Sequence, residues 1–524
     1  MTVPAPPMDQ RFAVSAVYVA ALFLSILDVT IVNVAIPTIG RDFHTSAASV
    51  DVVVIGFLVS LAVFIPASGW IGDRFGGKRT LLAAISVFTV ASAMCGVATS
   101  LGELVVFRVV QGVGGGMLTP VGMAMLYRTF PPAERVRLAG ILMLPTALAP
   151  ALGPVIGGLL VTDLSWRWVF FVNLPIGVAA VIFGALFVTE RRESKPGRFD
   201  LFGFVLAGVG LGALMYGVSE GPTRGWESIP VLAMIVAGVT LLAVMVRVEM
   251  SVEQPMVNLR LLGDHLFRAA NILVVLTMTG FFGVLYLVPL YYQEARGLSA
   301  LDSGLSTFPE AIGVLIAAQV VSRYLYPSIG PRRLMAAGLL GIAAVTVAMA
   351  GASGSLTNLW YLRGLMFALG YCIPHVLMSM QAAAFATISP ASTGRASTLF
   401  NADRQLGGAV GVALLSTVLA AIGPTRQVGA HLVAHVAAYR GAFLAAAAVA
   451  LVGSVTALLT VRDAEAASTM VRRRRPAGAR SGVAAAAPWT GRRTAVSGPP
   501  HRQQADRRGL IEESSVVDHE SVDR

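Results

Sequence analysis

The stretch Gly69-Trp70-Ile71-Gly72-Asp73-Arg74-Phe75-Gly76-Gly77-Lys78-Arg79 decides the fold. It is a short, charged, glycine-rich turn between two apolar runs, residues 52–68 and 80–98. Each run is close to the ~20 residues an α-helix needs to cross a bilayer, so the turn joins two membrane helices. A counterpart, Gly330-Pro331-Arg332-Arg333, lies in the second half. Thirty residues after Lys78 comes Arg108, which opens a long apolar helix containing Pro120. Thirty-one residues after Arg332 comes Arg363, which opens a helix containing Pro374. The halves therefore match as repeated six-helix units. Such duplication marks transporters, because two pseudo-symmetric halves can rock about a central site.

Outward from this turn the pattern repeats along the chain. Apolar runs cover residues 12–39, 52–68, 80–98, 104–126, 138–161 and 168–188, then 201–218 and 229–246, then 269–291, 304–325, 334–351, 360–385, 397–422 and 442–461. The reading is an all-α integral membrane protein of fourteen helices. It divides into a six-helix bundle (1–200), two inserted helices (201–250), a second six-helix bundle (251–462) and a disordered tail (463–524). The tail has no apolar periodicity, and its basic run 472–475 is expected to be solvated. Composition agrees: 56% of residues are hydrophobic, 13% are charged and the mean hydropathy is +0.74, whereas soluble proteins carry about 25% charged residues. The first apolar run continues past Asp28 without a small-residue cleavage site, so it reads as a retained helix rather than a signal peptide.

A net charge of +11 does not imply a nucleic-acid partner, because the basic residues sit in short loops. Arg74, Lys78 and Arg79; Arg128, Arg135 and Arg137; Arg191, Arg192, Lys195 and Arg198; Arg247, Arg260 and Arg268; and Arg332 and Arg333 occupy alternate loops. The other loops hold mostly single arginines: Arg41, Arg167, Arg224 and Arg296. The basic set is assigned to the cytoplasm, and an even number of crossings puts both termini there. Lysine occurs only at 78 and 195, a bias that fits a bacterial GC-rich genome. Cys95 and Cys372 lie inside apolar runs without metal-ligand spacing. The spacing Gly72-x4-Gly77-Lys78 mimics a phosphate loop, but Arg79 replaces the Mg²⁺-holding Ser/Thr and no strand precedes it. No cofactor, metal or enzymatic constellation is expected; the driving force is expected to be an ion gradient.

These residues resemble the major facilitator superfamily, and within it the fourteen-helix drug:proton antiporters of EmrB/QacA type. The resemblance spans residues 12–461. It rests on Leu27-Asp28-Val29-Thr30-Ile31-Val32-Asn33-Val34-Ala35-Ile36-Pro37 in helix 1, the turn 69–79, Arg108-Val109-Val110-Gln111-Gly112 in helix 4 and Gly153-Pro154-Val155-Ile156-Gly157-Gly158 in helix 5. Trp166-Arg167-Trp168-Val169-Phe170, Asn173 and Pro175 follow. The resemblance implies a gate loop (Gly69, Gly72, Asp73, Arg74, Gly76, Lys78, Arg79), a helix 1 motif (Asp28, Asn33, Pro37) and an antiporter motif (Pro150, Gly153, Pro154, Gly157, Gly158). Two departures stand out. Pro327 occupies the second-half position of Asp73, removing that acid from the repeat, and Phe57 stands where a tyrosine is expected.

Physically, Asp73 with Arg74, Lys78 and Arg79 reads as a charged latch whose pairs are individually worth ~0–1 kcal/mol. A solvated turn obeying the basic-loop rule is the plain alternative. The glycines of helices 4 and 5 let backbones approach closely, and Pro150 and Pro154 are expected to kink helix 5. Ionisable groups within apolar helices are costly and functional by default. Asp28, Arg108, Glu310, Asp403 and Arg404 are therefore the proton-coupling candidates, against static ion pairs such as Asp403 with Arg404. Arg363 reads as an interfacial anchor and His375 as a satisfied core side chain. Tyr286, Tyr291, Phe281, Met278 and Met378 line a cavity or simply pack. The expected function is proton-coupled export of an amphipathic, cationic or polycyclic drug across the plasma membrane by a monomer. A metabolite carrier of the same fold is the alternative, and a non-transporting membrane sensor the more distant one.

Overall fold

The computed structural model describes residues 9–45, 47–190, 199–252, 257–352, 358–423, 425–428 and 431–470. Among them, fourteen helices are long and apolar enough to cross a membrane. The first six are α1 (Gln10–Asp42), α2 (Ala47–Phe75), α3 (Gly77–Val97), α4 (Leu101–Thr129), α5 (Arg135–Asp163) and α6 (Trp168–Phe187). The inserted pair is α7 (Leu201–Arg224) and α8 (Ile229–Ser251). The last six are α9 (His265–Leu290), α10 (Ala300–Val320), α11 (Pro331–Gly351), α12 (Leu359–Ala384), α13 (Thr393–Ile422) and α14 (Val436–Thr460). Hydrocarbon offers no hydrogen bonds, so each span satisfies its backbone internally as a helix. Prolines lie inside several spans, including Pro66, Pro120 and Pro374, which membrane helices tolerate.

The repeat read from sequence is visible in the packing. In the first half α2 packs on α4, α1 on α5, and α3 on both α4 and α6. The second half repeats this with α10 on α12, α9 on α13, and α11 on both α12 and α14. The seam between halves has the same symmetry, with α2 against α13 and α5 against α10. The inserted pair joins at this seam, where α7 contacts both α2 and α13.

The two arginine-rich turns are also built alike. Gly76 and Gly330 both take positive φ, +98° and +85°, immediately before α3 and α11, a conformation open to glycine at low cost. Each following helix N-terminus is capped by an acid from just beyond the sixth helix of its half. Glu190 accepts from the Lys78 and Arg79 N–H groups at 3.1 and 3.0 Å. Asp463 accepts from the Arg332 N–H at 2.8 Å. Although Pro327 replaces the counterpart of Asp73, the second turn thus keeps an acidic partner from another segment.

Two features differ from the sequence reading. A short antiparallel ribbon, Thr425–Val428 with His431–Ala434, sits between α13 and α14; its strands are too short and too mixed in polarity to stand out in the sequence. The expected tail boundary at 463 also moves. Residues 463–470 are packed: Ala466 has no exposed surface, and the Thr469 hydroxyl lies 2.7 Å from that of buried Tyr326. Glu465 lies 3.0 Å from His265 Nδ1, and the turn of helix Ala467–Met470 contacts the first-half turn Pro132–Glu134. The rest of the expected tail, 471–524, and the basic loop 191–198 lie outside the described residues.

A chain ending after Met470 should therefore keep the thermal stability of the full protein. One ending after Ala464 leaves the buried Tyr326 hydroxyl unpaired, at about 1–3 kcal/mol, and should melt at a lower temperature in detergent. Equal melting temperatures for the two truncations would show that residues 465–470 contribute nothing.

Candidate functional site

The polar centre of the first half is a carboxylate held by three helices, with a fourth completing the network. Asp28 of α1 and Arg108 of α4 both have no exposed surface. Arg108 Nη1 donates to Asp28 Oδ2 at 2.5 Å and to Gln111 Oε1 at 2.8 Å. Gln111 Nε2 and Asn173 Nδ2 donate to Asp28 Oδ1 at 2.9 and 3.0 Å. Asn173, on α6, also donates to Ser92 of α3 at 3.1 Å, and the Ser92 hydroxyl donates to the Phe170 carbonyl. Arg108 and Gln111 are one turn apart on α4, so both reach the same carboxylate. Three N–H donors on two oxygens suit an ionised carboxylate, which only accepts.

The guanidinium has an apolar roof. Its Cζ lies 4.2 Å from the centre of the Phe57 ring and 5.8 Å from that of Phe170. Phe57 therefore does a different job from the tyrosine expected at that position: its face covers the cation and offers no competing hydroxyl. Removing one partner of a buried ion pair costs about 3–5 kcal/mol, so Asp28 and Arg108 hold each other in place.

The helix 5 motif packs directly on α1, close to Asp28. A Cβ on Gly153 would collide with the Thr30 hydroxyl, and one on Gly157 would lie 2.9 Å from Ile31 Cγ1. Gly158 differs: a Cβ there would meet open space, so it takes no part in this contact. Helix α5 runs through Pro150 and Pro154 without interruption. Asn33 is exposed on α1 and stands apart from the Asp28 network; the side chains of Pro37 and Pro154 lie outside what is described. Beyond the apolar span of α1, Asp42 accepts from Trp166 Nε1 at 2.8 Å and from Arg167 at 3.1 Å. The Trp166 hydrogen bond, aided by Arg167, holds its carboxyl below the usual range against a smaller opposing effect of burial.

At the arginine-rich end the two halves meet. The latch is not the one expected within the turn. Asp73 Oδ1 accepts from Arg128 Nη2 of α4 at 2.7 Å, and Arg128 Nε reaches the Pro390 carbonyl of the second half at 3.3 Å. Lys78 Nζ instead donates to the Ala185 carbonyl, and Arg79 Nε lies 3.9 Å from Glu190. A Cβ on Gly394 would lie 3.0 Å from Asp73 Oδ1, so the carboxylate sits against the start of α13, where a helix favours negative charge. A Cβ on Gly69 would lie 2.6 Å from Thr398 Oγ1 and 3.1 Å from the Gly394 carbonyl. Gly69 thus lets α2 meet α13 at backbone distance. Gly72 makes only ordinary contact with Val121. Arg135 donates to the Phe385 carbonyl, the Tyr127 hydroxyl to the Gln381 carbonyl at 3.3 Å, and the Tyr127 and Phe385 rings stack at 4.3 Å. These contacts close that end.

The remaining acids lie apart from Asp28. Among the described residues Glu310 on α10 and Asp403 and Arg404 on α13 form no ion pair and no side-chain hydrogen bond, which removes the static Asp403–Arg404 pair. Asp403 lies ten residues into α13, about 15 Å from its start. Arg363 stacks on Trp360 at 4.7 Å, as an anchor does, and His375 Nδ1 is satisfied by the Tyr371 carbonyl at 2.9 Å. Sequence reasoning missed Ser92 and Glu190, gave Asn173 no role, and read Arg128 and Arg135 as orientation signals alone. The Trp166-to-Pro175 motif was the available pointer to Asn173.

A duplicated helical bundle with a buried ion pair and a closable seam is a membrane transporter. Residues 18–412 match the family model of the Major Facilitator Superfamily, and the chain belongs to that family. It is 34% identical over 408 residues to the multidrug resistance protein B homolog of Mycobacterium tuberculosis, covering 77% of this chain and 75% of that protein. It is 33% identical over 399 residues to the tetracenomycin C resistance and export protein of Streptomyces glaucescens, covering 75% and 73%. With the multidrug export protein EmrB of Escherichia coli it shares 30% over 401 residues, covering 76% and 78%. The fold is similar to that of the human organic anion transporter MFSD10 (TM-score 0.60, 14% identity, 86% of this chain and 100% of that one) and of the proton:xylose symporter XylE (TM-score 0.59, 15% identity, 87% and 97%). The chain is thus a multi-pass membrane transporter of this superfamily and not an enzyme.

Gly69→Val should force α2 from α13. Overpacking of this kind costs about 1–3 kcal/mol, roughly a 5–150-fold shift between closed and open ends. In a background lacking Cys95 and Cys372, a cysteine at fully buried Ser397 should react faster with maleimide once Gly69→Val is added. An unchanged rate would show that this contact does not hold the end closed.

Proposed function

We propose that the chain exports amphipathic drug-like compounds across the plasma membrane in exchange for protons, with Asp28 as the principal proton carrier. The observation that carries this reading is the Asp28–Arg108–Gln111–Asn173 network, buried in the bundle and packed through α1 against the Gly153/Gly157 segment. The names of the relatives, which describe multidrug resistance and export, support the same class of substrate. The arginine-rich, closed end is assigned to the cytoplasm, with both termini there and the protein acting as a monomer.

The steps follow from charge. With Asp28 ionised, Arg108 is neutralised and the four helices are drawn together. Proton uptake on Asp28 removes the negative partner and leaves Arg108 supported by Gln111, the Val53 carbonyl and the Phe57 ring. Withdrawal of a cation favours the protonated acid and its approach favours the carboxylate, so motion of α4 past α1 loads and unloads the proton. Because α1 packs on α5 at Gly153 and Gly157, that motion is felt at the seam. Asp403 and Glu310 are secondary carriers in the second half.

Inside-out vesicles containing the protein should accumulate a fluorescent drug substrate when a proton gradient is imposed, without ATP, and should stop when the gradient is dissipated. Asp28→Asn should abolish this accumulation at unchanged membrane abundance; Asp403→Asn and Glu310→Gln should reduce it less. Transport that requires ATP with no gradient, or that survives in Asp28→Asn, overturns the reading.

A further inference from the structure

The two seams between the halves are symmetry-related, but the inserted pair packs at the one formed by α2 and α13, and α7 touches both helices. The pair is a tight unit. Gly210 and Gly217 let α7 close on α8, and a Cβ on Gly238 of α8 would lie 2.6 Å from the Leu214 nitrogen of α7. This unit is fitted to the first half. Gly208 and Gly212, one turn apart, face α2, where a Cβ would lie 2.9 Å from Val63 and 3.1 Å from Val59. One turn earlier the Phe204 ring meets Phe64 at 5.6 Å, and Phe199 meets Trp70 at 4.7 Å. Residues 204, 208 and 212 form a single stripe of α7, and that stripe lies on α2.

The turn of the pair reaches the other half. Trp226, between α7 and α8, donates from Nε1 to Thr417 Oγ1 of α13 at 2.9 Å. Both partners are set for this bond. The Thr417 hydroxyl gives its own proton to the Ala413 carbonyl at 2.6 Å, which leaves lone pairs on the oxygen to accept. A Cβ on Gly221 would lie 2.6 Å from the indole, so the ring rests on α7 and is held by it. A tryptophan at a membrane interface ordinarily turns its N–H to water and headgroups. This one bonds a helix of the opposite half. The pair therefore rides on one half and grips the other, across a joint that has to move.

We propose that the inserted pair is a tie between the rocking halves. It travels with the first half, and the Trp226–Thr417 bond limits how far α13 parts from it at the end opposite the arginine-rich turns. Gly69 holds α2 to α13 at one end of this seam, and Trp226 acts at the other. One neutral hydrogen bond suits the role, because it shifts an equilibrium about 2–13-fold, enough to bias the opening without locking it. Trp226 and Thr417 are positioning residues in this scheme. The inference rests on the reading of the chain as a transporter whose halves rock; it does not depend on the proton or on the compound carried.

The test uses the full-length protein without Cys95 and Cys372, in lipid nanodiscs, with pairs of spin labels read by double electron–electron resonance. Gly102 at the start of α4 and Gly351 at the end of α11 are suitable sites, since a Cβ at either meets open space. Ile229, 82% exposed, labels the inserted pair. Trp226→Phe keeps a ring against Gly221 and loses the donor; Thr417→Val keeps the shape and loses the acceptor. Each should raise the ratio of long to short Gly102–Gly351 distances about 2–13-fold. The double variant should do no more than either alone, and Thr417→Ser should match the unsubstituted protein. The Ile229–Gly102 distance should stay fixed while Ile229–Gly351 lengthens, so the fixed distance is also the control for folding. An unchanged Gly102–Gly351 distribution in either single variant, additive effects in the double one, or a shift in Ile229–Gly102 would each overturn the tie. Proton-driven drug accumulation beside such a result leaves the exporter reading standing. Distances that follow the bond in a protein without proton-driven transport sustain the tie and sink that reading.

Discussion

Two opposite charges sunk in an apolar bundle constrain everything around them. Neither Asp28 nor Arg108 has water to fall back on, so each requires the other, and the remaining lone pairs and protons require further partners. The chain supplies most of these from α1, α3, α4 and α6 through Asp28, Ser92, Arg108, Gln111 and Asn173, while Arg108 Nη2 and Asn173 Oδ1 have no hydrogen-bond partner among the described residues. Four helices are thereby tied to the charge of one carboxylate. A change in that charge cannot be absorbed by a side chain rotating into solvent; it has to be met by movement of helices. In the proposed exchange mechanism, a proton on Asp28 is a mechanical input for this reason.

The geometry of α4 carries that input across the membrane. Arg108 near one end of α4 holds Asp28, and Arg128 near the other holds Asp73 and the Pro390 carbonyl. The two arginines are twenty residues apart on one helix, about 30 Å. A tilt of α4 at the ion pair therefore displaces the seal at the arginine-rich end. Helix α13 has the complementary role in the second half, with Gly394 and Thr398 at the seal and Arg404 on the wall of the small cavity where α5, α9, α12 and α13 meet. The seal, the cavity and the Asp28–Arg108 pair thus share a few rigid elements. Close backbone approach at Gly69, Gly153 and Gly157 keeps those elements in register.

Much of this was legible in the sequence because a bilayer imposes simple rules. Fourteen apolar runs announced fourteen helices, since no shorter or more polar segment crosses hydrocarbon, and the spacing from Lys78 to Arg108 and from Arg332 to Arg363 exposed the duplication. Asp28 and Arg108 stood out as charges in apolar surroundings. What stayed hidden was pairing over long sequence distances. Ser92 carries no charge to mark it, and its role arises only when α3 meets α6. Arg128 and Arg135 look like orientation signals because loop arginines usually are. The caps at Glu190 and Asp463 escaped notice because each lies more than a hundred residues from the glycine turn it serves. The end of the second bundle was drawn too early because apolar periodicity stops at α14, whereas residues 463–470 are held by hydrogen bonds and one buried turn.

The central claim is that the charge on Asp28 sets the state of the seal at the far end of α4. Spin labels at Ala133 and Ser389, exposed positions on either side of that seal, report it directly by double electron–electron resonance in nanodiscs. Asp28→Asn has the shape of the protonated acid and no charge. The account predicts a short distance in the wild-type protein and a shift to a longer, open population in Asp28→Asn. A distance distribution unchanged by that substitution would contradict it.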